Sequence, residues 1–207
     1  MQIVVKASAL QQKAFLSKPL PANSRVYWYG SDILPEKADI YFDLCYEEDG
    51  AAFTAMTDTL VFANAVLSVA DTLPNNYVRI NAWNGFLERS VTEIVTGKYP
   101  VAITTAMEKL GWLHTFVPDV PGMISARIIA MIINEAFFAW GDEVSSKADI
   151  DTAMKLGTNY PYGPFEWCEK IGIGNIHQLL STLSKEDERY TPAPALVDEA
   201  TQLNSKA

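Results

Sequence analysis

The side chains that most often perform acid–base or nucleophilic chemistry are scarce in this chain. It has two histidines, His114 and His177, and two cysteines, Cys45 and Cys168. The cysteines lie far apart, and no Cys-x-x-Cys or Cys/His spacing suited to zinc occurs, so no metal site is predicted. His114 lies in an apolar run that predicts a strand and His177 in a helical pattern, so we interpret both as structural residues.

The chain also lacks the glycine-rich turn with which many parallel sheets bind a dinucleotide. That turn reads Gly-x-Gly-x-x-Gly after the first strand, because glycine lets the backbone approach the diphosphate. Gly30 is the first glycine of this sequence, well beyond the first predicted strand at residues 3–7. No Walker loop, Gly-x-Ser-x-Gly or His-Glu-x-x-His motif occurs either. The acidic run Glu47-Glu48-Asp49 is interpreted as a solvated loop.

Composition excludes several classes of partner. Sixteen Lys and Arg against 25 Asp and Glu give the 207 residues a net charge of −9, which disfavours binding to nucleic acid. The apolar run at residues 3–5 is too short for a signal peptide, so we expect a cytoplasmic protein. Residues 123–140 are strongly apolar, but Arg127, Asn134 and Glu135 interrupt them, which favours a buried or subunit-interface helix over a membrane span.

The first 118 residues alternate short runs rich in Val, Ile, Tyr and Phe with helical patterns. Such alternation predicts a mostly parallel sheet with helices on its faces. The predicted strands are residues 3–7, 25–30, 38–45, 59–64, 77–82 and 113–117, and the predicted helices are residues 9–17, 51–58, 86–95 and 101–111.

The composition changes after Pro118, and every later pattern is helical. A long helix follows Pro121-Gly122, and Arg127 and Asn134, seven residues apart on it, are expected to line a polar cleft or to pair internally. Ser146 is predicted to cap the next helix, and Pro164 to begin the one after it. We therefore predict an α/β domain at residues 1–118 and an all-α domain at residues 119–207.

Three stretches of the second half resemble the C-terminal domain of the 3-hydroxyacyl-CoA dehydrogenase family. They read DVPGMISARII, DIDTAMKLGTNYPYGPFEW and RYTPAPAL. The resemblance extends more weakly to VRINAWNGFLERSVTEIV and ADIYFDLCYEED in the first half. It implies a reduced Rossmann-like, mostly parallel sheet followed by a helical domain like the C-terminal domain of 6-phosphogluconate dehydrogenase. It also implies a homodimer formed through that helical domain.

The resemblance implies that catalytic residues of the family are missing here. The family histidine that takes the hydroxyl proton falls on Asn81, its serine on about Val66 and its asparagine on Ala126, while the orienting glutamate is retained as Glu93. The family's glycine-rich turn falls on Lys6 to Gln11. Asn81 has no nitrogen that titrates near neutrality and cannot act as a general base. We therefore predict no catalytic residues and no NAD.

Three functions remain open from the sequence. The first is a catalytically degenerate relative with an acyl-CoA-like cleft at Asn81, Asn84, Glu93 and Arg127, although Asn84-Gly85 is also a simple turn signal. The second is an active NAD-dependent dehydrogenase that binds its cofactor unconventionally. The third is an interaction protein whose cleft is filled by aromatic side chains, namely Trp83, Phe86, Trp112 and Trp167.

Overall fold

The structure is a computed structural model that describes residues 1–204. It divides into two compact units, Met1–Met123 and a second that begins at Ile124. We call the first the sheet unit and the second the helical unit. The division falls after Met123 rather than after residue 118, because residues 119–122 contact the sheet as described below.

The sheet unit contains a seven-stranded sheet in the order β2-β1-β3-β4-β5-β6-β7. All neighbouring strands are parallel except β5 and β6. This arrangement confirms the predicted mostly parallel, Rossmann-like sheet. The strands are β1 (Gln2–Lys6), β2 (Arg25–Trp28), β3 (Ile40–Asp43), β4 (Val61–Asn64), β5 (Tyr77–Ile80), β6 (Val91–Val95) and β7 (Leu113–Val117).

Helices cover the two faces of the sheet unequally. Helices α1 (Ala9–Ser17) and α3 (Pro100–Leu110) pack on one face, where Phe15, Phe42 and Trp112 contact one another in the core. The opposite face carries only the short helix α2 (Tyr46–Asp49) and irregular loops. The connections on that face are therefore too short for full crossover helices, as the cramped spacing of the predicted strands indicates.

Two predicted helices of the sheet unit are wrong. Residues 51–58 form turns, and the N–H groups of Ala52 and Phe53 donate to the Asp43 and Tyr77 side chains of the sheet. Residues 86–95 contain a turn followed by β6, whose sequence VTEIV has four β-branched residues, the type that strands favour. Strand β6 is the seventh strand, which the sequence analysis did not predict.

The helical unit confirms the predicted all-α organisation. Ser146 caps the second of its helices by accepting a hydrogen bond from the N–H of Asp149 (3.2 Å). No helix within residues 1–204 is long and apolar enough to cross a bilayer. The helices are α4 (Ser125–Gly141), α5 (Lys147–Thr158), α6 (Pro164–Ile171), α7 (Ile173–Leu183) and α8 (Pro194–Asn204).

The motif that joins α5 to α6 is a capping device. The Asp151 carboxylate accepts the N–H groups of Phe165 (2.8 Å) and Glu166 (3.2 Å), which are unpaired donors in the first turn of α6. Gly163 passes so close that an added Cβ would lie 2.4 Å from Asp151 Oδ1. Glu166 in turn accepts the Gly163 N–H and forms an ion pair with Lys155. Aspartate and glycine are therefore required here by packing.

A buried ion pair ties residues 119–122 to the sheet. Arg79, on β5, has a fully buried guanidinium that pairs with Asp119 and donates to the carbonyl groups of Ala65, Val66 and Val120. Asp119 also accepts the N–H of Ala70 (3.0 Å). The five donors of the guanidinium make such a multiple anchor possible.

We expect Asp119→Ala to destabilise the chain, because it leaves the Arg79 charge buried without its carboxylate. Breaking a buried pair costs about 3–5 kcal/mol, and partial exposure of Asp119 brings the expected loss to about 2–4 kcal/mol. Urea denaturation measures this loss, with Asp71→Ala as a control on an exposed carboxylate of the neighbouring turn. A loss no larger than that of the control would contradict the anchoring role.

Candidate functional site

The fold directs attention to the carboxyl ends of β1 and β3. Strand β2 pairs with one side of β1 and strand β3 with the other, so the strand order reverses between β1 and β3. In open α/β sheets, ligands bind in the crevice at such a reversal. Lys6 and Asp43 are register partners at this edge, and the turn between β1 and α1 lies beside them.

The β1–α1 turn is closed by its own side chains. The Ser8 hydroxyl accepts the Gln11 N–H (3.4 Å) and the Gln11 side chain accepts the Ser8 N–H (2.9 Å). Gln11 is buried, and its amide donates across the crevice to the Leu44 carbonyl (2.7 Å). The Cys45 thiol donates to the side-chain oxygen of Gln11, Oε1 (3.3 Å). Side chains therefore occupy the place where a glycine-rich turn leaves room for a diphosphate.

The charges around this turn are also unsuited to a diphosphate. The nearest cation, the Lys6 ammonium, forms an ion pair with Asp49 (2.9 Å). The carboxylates of Asp43 and Glu48 lie close enough to the Lys6 ammonium to interact with it electrostatically. Three carboxylates thus surround one lysine, and this balance repels an anion. The residues at Lys6 to Gln11 do not fit the dinucleotide that the family resemblance implies.

Asn81 and Glu93, which the resemblance places together, do meet in the structure. Asn81 follows β5 and is buried, and Glu93 lies on the adjacent strand β6. The Asn81 N–H donates to the Glu93 carbonyl (3.2 Å), and the Asn81 amide nitrogen lies 3.4 Å from Glu93 Oε2. The amide donates to the glutamate as an imidazole N–H would, but it offers no basic nitrogen on its other side.

Glu47 is a residue of this edge whose role the sequence analysis missed. The prediction of a solvated loop is wrong for it, because its carboxylate is half-buried and accepts the N–H groups of Leu67 (2.6 Å) and the Trp83 indole (2.9 Å). Burial raises the pKa of Glu47, and these hydrogen bonds oppose that change. Its position four residues after β3, in α2 at the carboxyl edge, was the signal that could have identified it.

The remaining predicted site residues lie in separate places. Asn84 lies in a turn whose Gly85 has φ of 92°. Val66 is buried, and its carbonyl accepts the Gly122 N–H (2.8 Å). Ala126 and Arg127 belong to the helical unit, where Ala126 is buried and the Arg127 guanidinium lies 5.5 Å from the centre of the Tyr190 ring.

The expectation that Asn134 pairs internally is confirmed. Its amide donates to the Thr191 carbonyl (2.9 Å) and its oxygen accepts the Ala193 N–H (2.8 Å). The four aromatic residues considered as cleft fillers, Trp83, Phe86, Trp112 and Trp167, are all buried. Within residues 1–204 no three His, Cys, Asp or Glu side chains are grouped so as to hold a metal ion.

Asp43 is the most buried acid of the carboxyl edge. Its Oδ2 accepts the N–H of Ala52 (2.9 Å) and lies 3.3 Å from the Tyr77 hydroxyl, and its Oδ1 has no hydrogen-bond partner. The Tyr77 hydroxyl accepts the N–H of Phe53 (2.7 Å). Burial raises the pKa of Asp43 despite the nearby Lys6 ammonium. Asp43 and Tyr77 thus hold the loop at residues 51–58 against the face of the sheet that carries α2.

Comparison with known proteins identifies the helical unit. Residues 122–206 match the family model described as the 3-hydroxyacyl-CoA dehydrogenase C-terminal domain. The helical unit therefore belongs to the family of 3-hydroxyacyl-CoA dehydrogenase C-terminal domains. The 3-hydroxyadipyl-CoA dehydrogenase of Escherichia coli K12 is 48% identical over 86 residues, which are 41% of this chain and 18% of that protein.

Similarity to the family continues into the sheet unit. The 3-hydroxybutyryl-CoA dehydrogenase of Clostridioides difficile is 30% identical over 173 residues, 79% of this chain. The match covers 60% of that relative, so this chain spans less than two thirds of either curated protein. A crystal structure of (S)-3-hydroxybutyryl-CoA dehydrogenase from Ralstonia eutropha superposes with a TM-score of 0.69 at 17% identity, covering 95% of this chain and 92% of that one, which shows the shared fold.

We expect Asp43→Asn to stabilise this chain at neutral pH and to lose that advantage in acid. A carboxyl group whose folded pKa is raised contributes stability that is present below its unfolded pKa of about 3.9 and is lost as pH rises through the folded value. Asn keeps an acceptor for Ala52 without the buried charge. Urea denaturation at neutral and acidic pH measures the difference, and Asp58→Asn is the exposed control. An equal effect of Asp43→Asn at both pH values would contradict this account.

Proposed function

We propose that this chain is a catalytically degenerate member of the 3-hydroxyacyl-CoA dehydrogenase family. The observation that carries the proposal is the amide of Asn81, which lies against Glu93 where the family resemblance implies a histidine. An amide neither accepts nor releases a proton near neutral pH. The loss of a general base alone typically lowers a rate by about 10²–10⁴.

The closed β1–α1 turn supports the second half of the proposal, that NAD is not a cofactor here. Ser8 and Gln11 satisfy the start of α1 between themselves, and the Gln11 side chain reaches the Leu44 carbonyl. Hydride transfer to NAD would require both a basic group in place of Asn81 and a crevice whose carboxylates no longer repel the anionic cofactor. The active-dehydrogenase alternative rests on relatives named for that activity, and it is one outcome of the test.

Purified chain titrated with NADH is expected to show no stoichiometric quenching of its five tryptophans. Neither it nor Asn81→His is expected to oxidise 3-hydroxybutyryl-CoA in the presence of NAD, because the variant regains an imidazole but not the phosphate-binding turn. The Clostridioides difficile relative, assayed alongside, is the positive control. Stoichiometric NADH binding, or turnover above background by the unchanged chain, would refute degeneracy. Dehydrogenase activity gained through the single substitution Asn81→His would refute the part of the proposal that excludes NAD as a cofactor.

The proposal retains an acyl-CoA, or a related thioester, as ligand. Support comes from the names of the relatives, which are hydroxyacyl-CoA dehydrogenases, and from the polar groups of Asn81 and Glu93, which meet where β5 ends. Asn84 lies in the turn that follows. The buried Trp83 and Phe86 favour the competing interpretation, in which aromatic side chains fill the space. The two interpretations differ in whether a thioester stabilises the folded chain.

Thermal unfolding in the presence of acyl-CoAs of increasing chain length is expected to show a rise in Tm for at least one of them. Selective binding to the native state at about 100 times Kd adds about 2.7 kcal/mol of stability. Asn84→Asp is expected to weaken the effect through repulsion of the anionic ligand, whereas Asn75→Asp, on an exposed turn, is the charge-matched control. No rise at any chain length would favour the filled, purely structural form.

We further propose that the helical unit pairs with itself. Support comes from a stripe of apolar side chains that begins at Ile124, just before α4, and continues along the helix. Ile124 and Ile128 are 47% and 53% exposed, and Met131 and Ile132 are half-buried one turn further on. Exposed apolar stripes of this kind mark interaction surfaces. The same spacing supports the homodimer that the family resemblance implies.

A further inference from the structure

Strand β7 forms one edge of the sheet, and half of its backbone groups point away from the sheet. The Thr96 N–H donates to the Val117 carbonyl (3.1 Å), and in a parallel ladder this sets the alternation along β7. Leu113, Thr115 and Val117 therefore bond to β6, whereas the N–H and C=O groups of His114 and Phe116 point outward. Within residues 1–204 these four outward groups make no hydrogen bond.

The opposite edge of the sheet is capped by its own residues at one end, the carboxyl end of β2. The outward N–H of Trp28, on β2, donates to the Asp32 carboxylate (2.7 Å). The Trp28 carbonyl accepts the N–H groups of Ser31 (3.3 Å) and Asp32 (3.0 Å). Such capping protects an edge strand from pairing with another chain. Within the described residues no such carboxylate caps β7, and both of its outward residues leave their backbone groups available to a partner.

We propose that β7 pairs antiparallel with β7 of a second copy of this chain, with Thr115 on the two-fold axis. In that register the outward groups of His114 meet those of Phe116 in the partner subunit, and the reverse, so all four groups in each copy are satisfied. A shift that brings His114 opposite its own symmetry mate places Phe116 opposite Trp112, whose N–H already donates to Met107 (2.9 Å). A shift the other way brings Pro118, which has no N–H, into the ladder.

The side chains of β7 suit the same register. On one face His114 lies beside Phe116 of the partner subunit, and the two rings already make an edge contact within one chain, with centroids 5.2 Å apart. On the other face Leu113, 66% exposed, meets Val117 of the partner subunit, and the two threonines meet at the axis. Cross-strand pairs of this kind stabilise a sheet, and β7 carries no carboxylate or ammonium that would be repelled.

The pairing is expected to be weak on its own. A standard stable interface buries about 800 Å² on each partner, more than one five-residue strand supplies. Covalent trapping is therefore a better measure than the mass of the unmodified chain.

A Thr115→Cys chain tests the register directly. Residues of a non-hydrogen-bonded antiparallel pair have Cα atoms about 4.5 Å apart, within the range that a disulfide spans. Under oxidised glutathione we expect a disulfide-linked dimer of Thr115→Cys to form about tenfold or more faster than one of Val91→Cys, an exposed site one strand further in. The unchanged chain, with Cys45 and Cys168, sets the background. A rate no faster than that of Val91→Cys would overturn the proposal.

A second variant separates strand pairing from other contacts at Thr115. His114→Pro removes an outward N–H and leaves the ladder to β6 intact, and in the Thr115→Cys chain it is expected to slow cross-linking about tenfold or more. Phe116→Lys serves the same purpose if circular dichroism shows that the proline variant is unfolded. Cross-linking that persists in an Ile128→Glu background supports an interface independent of α4. Cross-linking unaffected by either β7 variant would overturn the proposal.

Discussion

The buried guanidinium of Arg79 is the interaction on which the sheet unit most depends. It pairs with Asp119 and holds carbonyl groups at the end of β4 and in the segment after β7. A charge in the core is tolerated only when paired and fully hydrogen-bonded. Because Arg79 lies two residues before Asn81, the same anchor determines where β5 ends and where the amide faces Glu93.

The carboxyl edge of the sheet retains the geometry expected of the family with different chemistry. Asn81 and Glu93 are still neighbours, and a hydrogen-bond donor still faces the glutamate. What has changed is the ability to take up a proton, which depends on the atom type and not on its position. At the β1–α1 turn, the Ser8–Gln11 cap uses the donors that a phosphate would need. In the function that we propose, the scaffold of the site is kept while its reactivity is lost.

The motif that identifies the family in the helical unit has a structural explanation. Asp151 receives the first N–H groups of α6, and Gly163 leaves no room for a side chain beside it. A sequence signal this specific is therefore compatible with lost activity. Packing constraints preserve such residues whether or not a reaction takes place elsewhere in the chain.

The sequence alone determined the order of most elements and the chemical limits of the site. Six of the strands, the helical second half and the Ser146 cap follow from local preferences and apolar spacing, and the lack of a base at Asn81 follows from the family resemblance and the residue type found there. Only the tertiary structure decided that residues 86–95 contain a strand, that Glu47 binds Trp83 and that Asp119 binds Arg79. Each of these three features depends on residues that are distant in the chain. A strand is stabilised by the strands beside it, and a buried carboxylate by its hydrogen-bond donors, and a local sequence pattern contains neither.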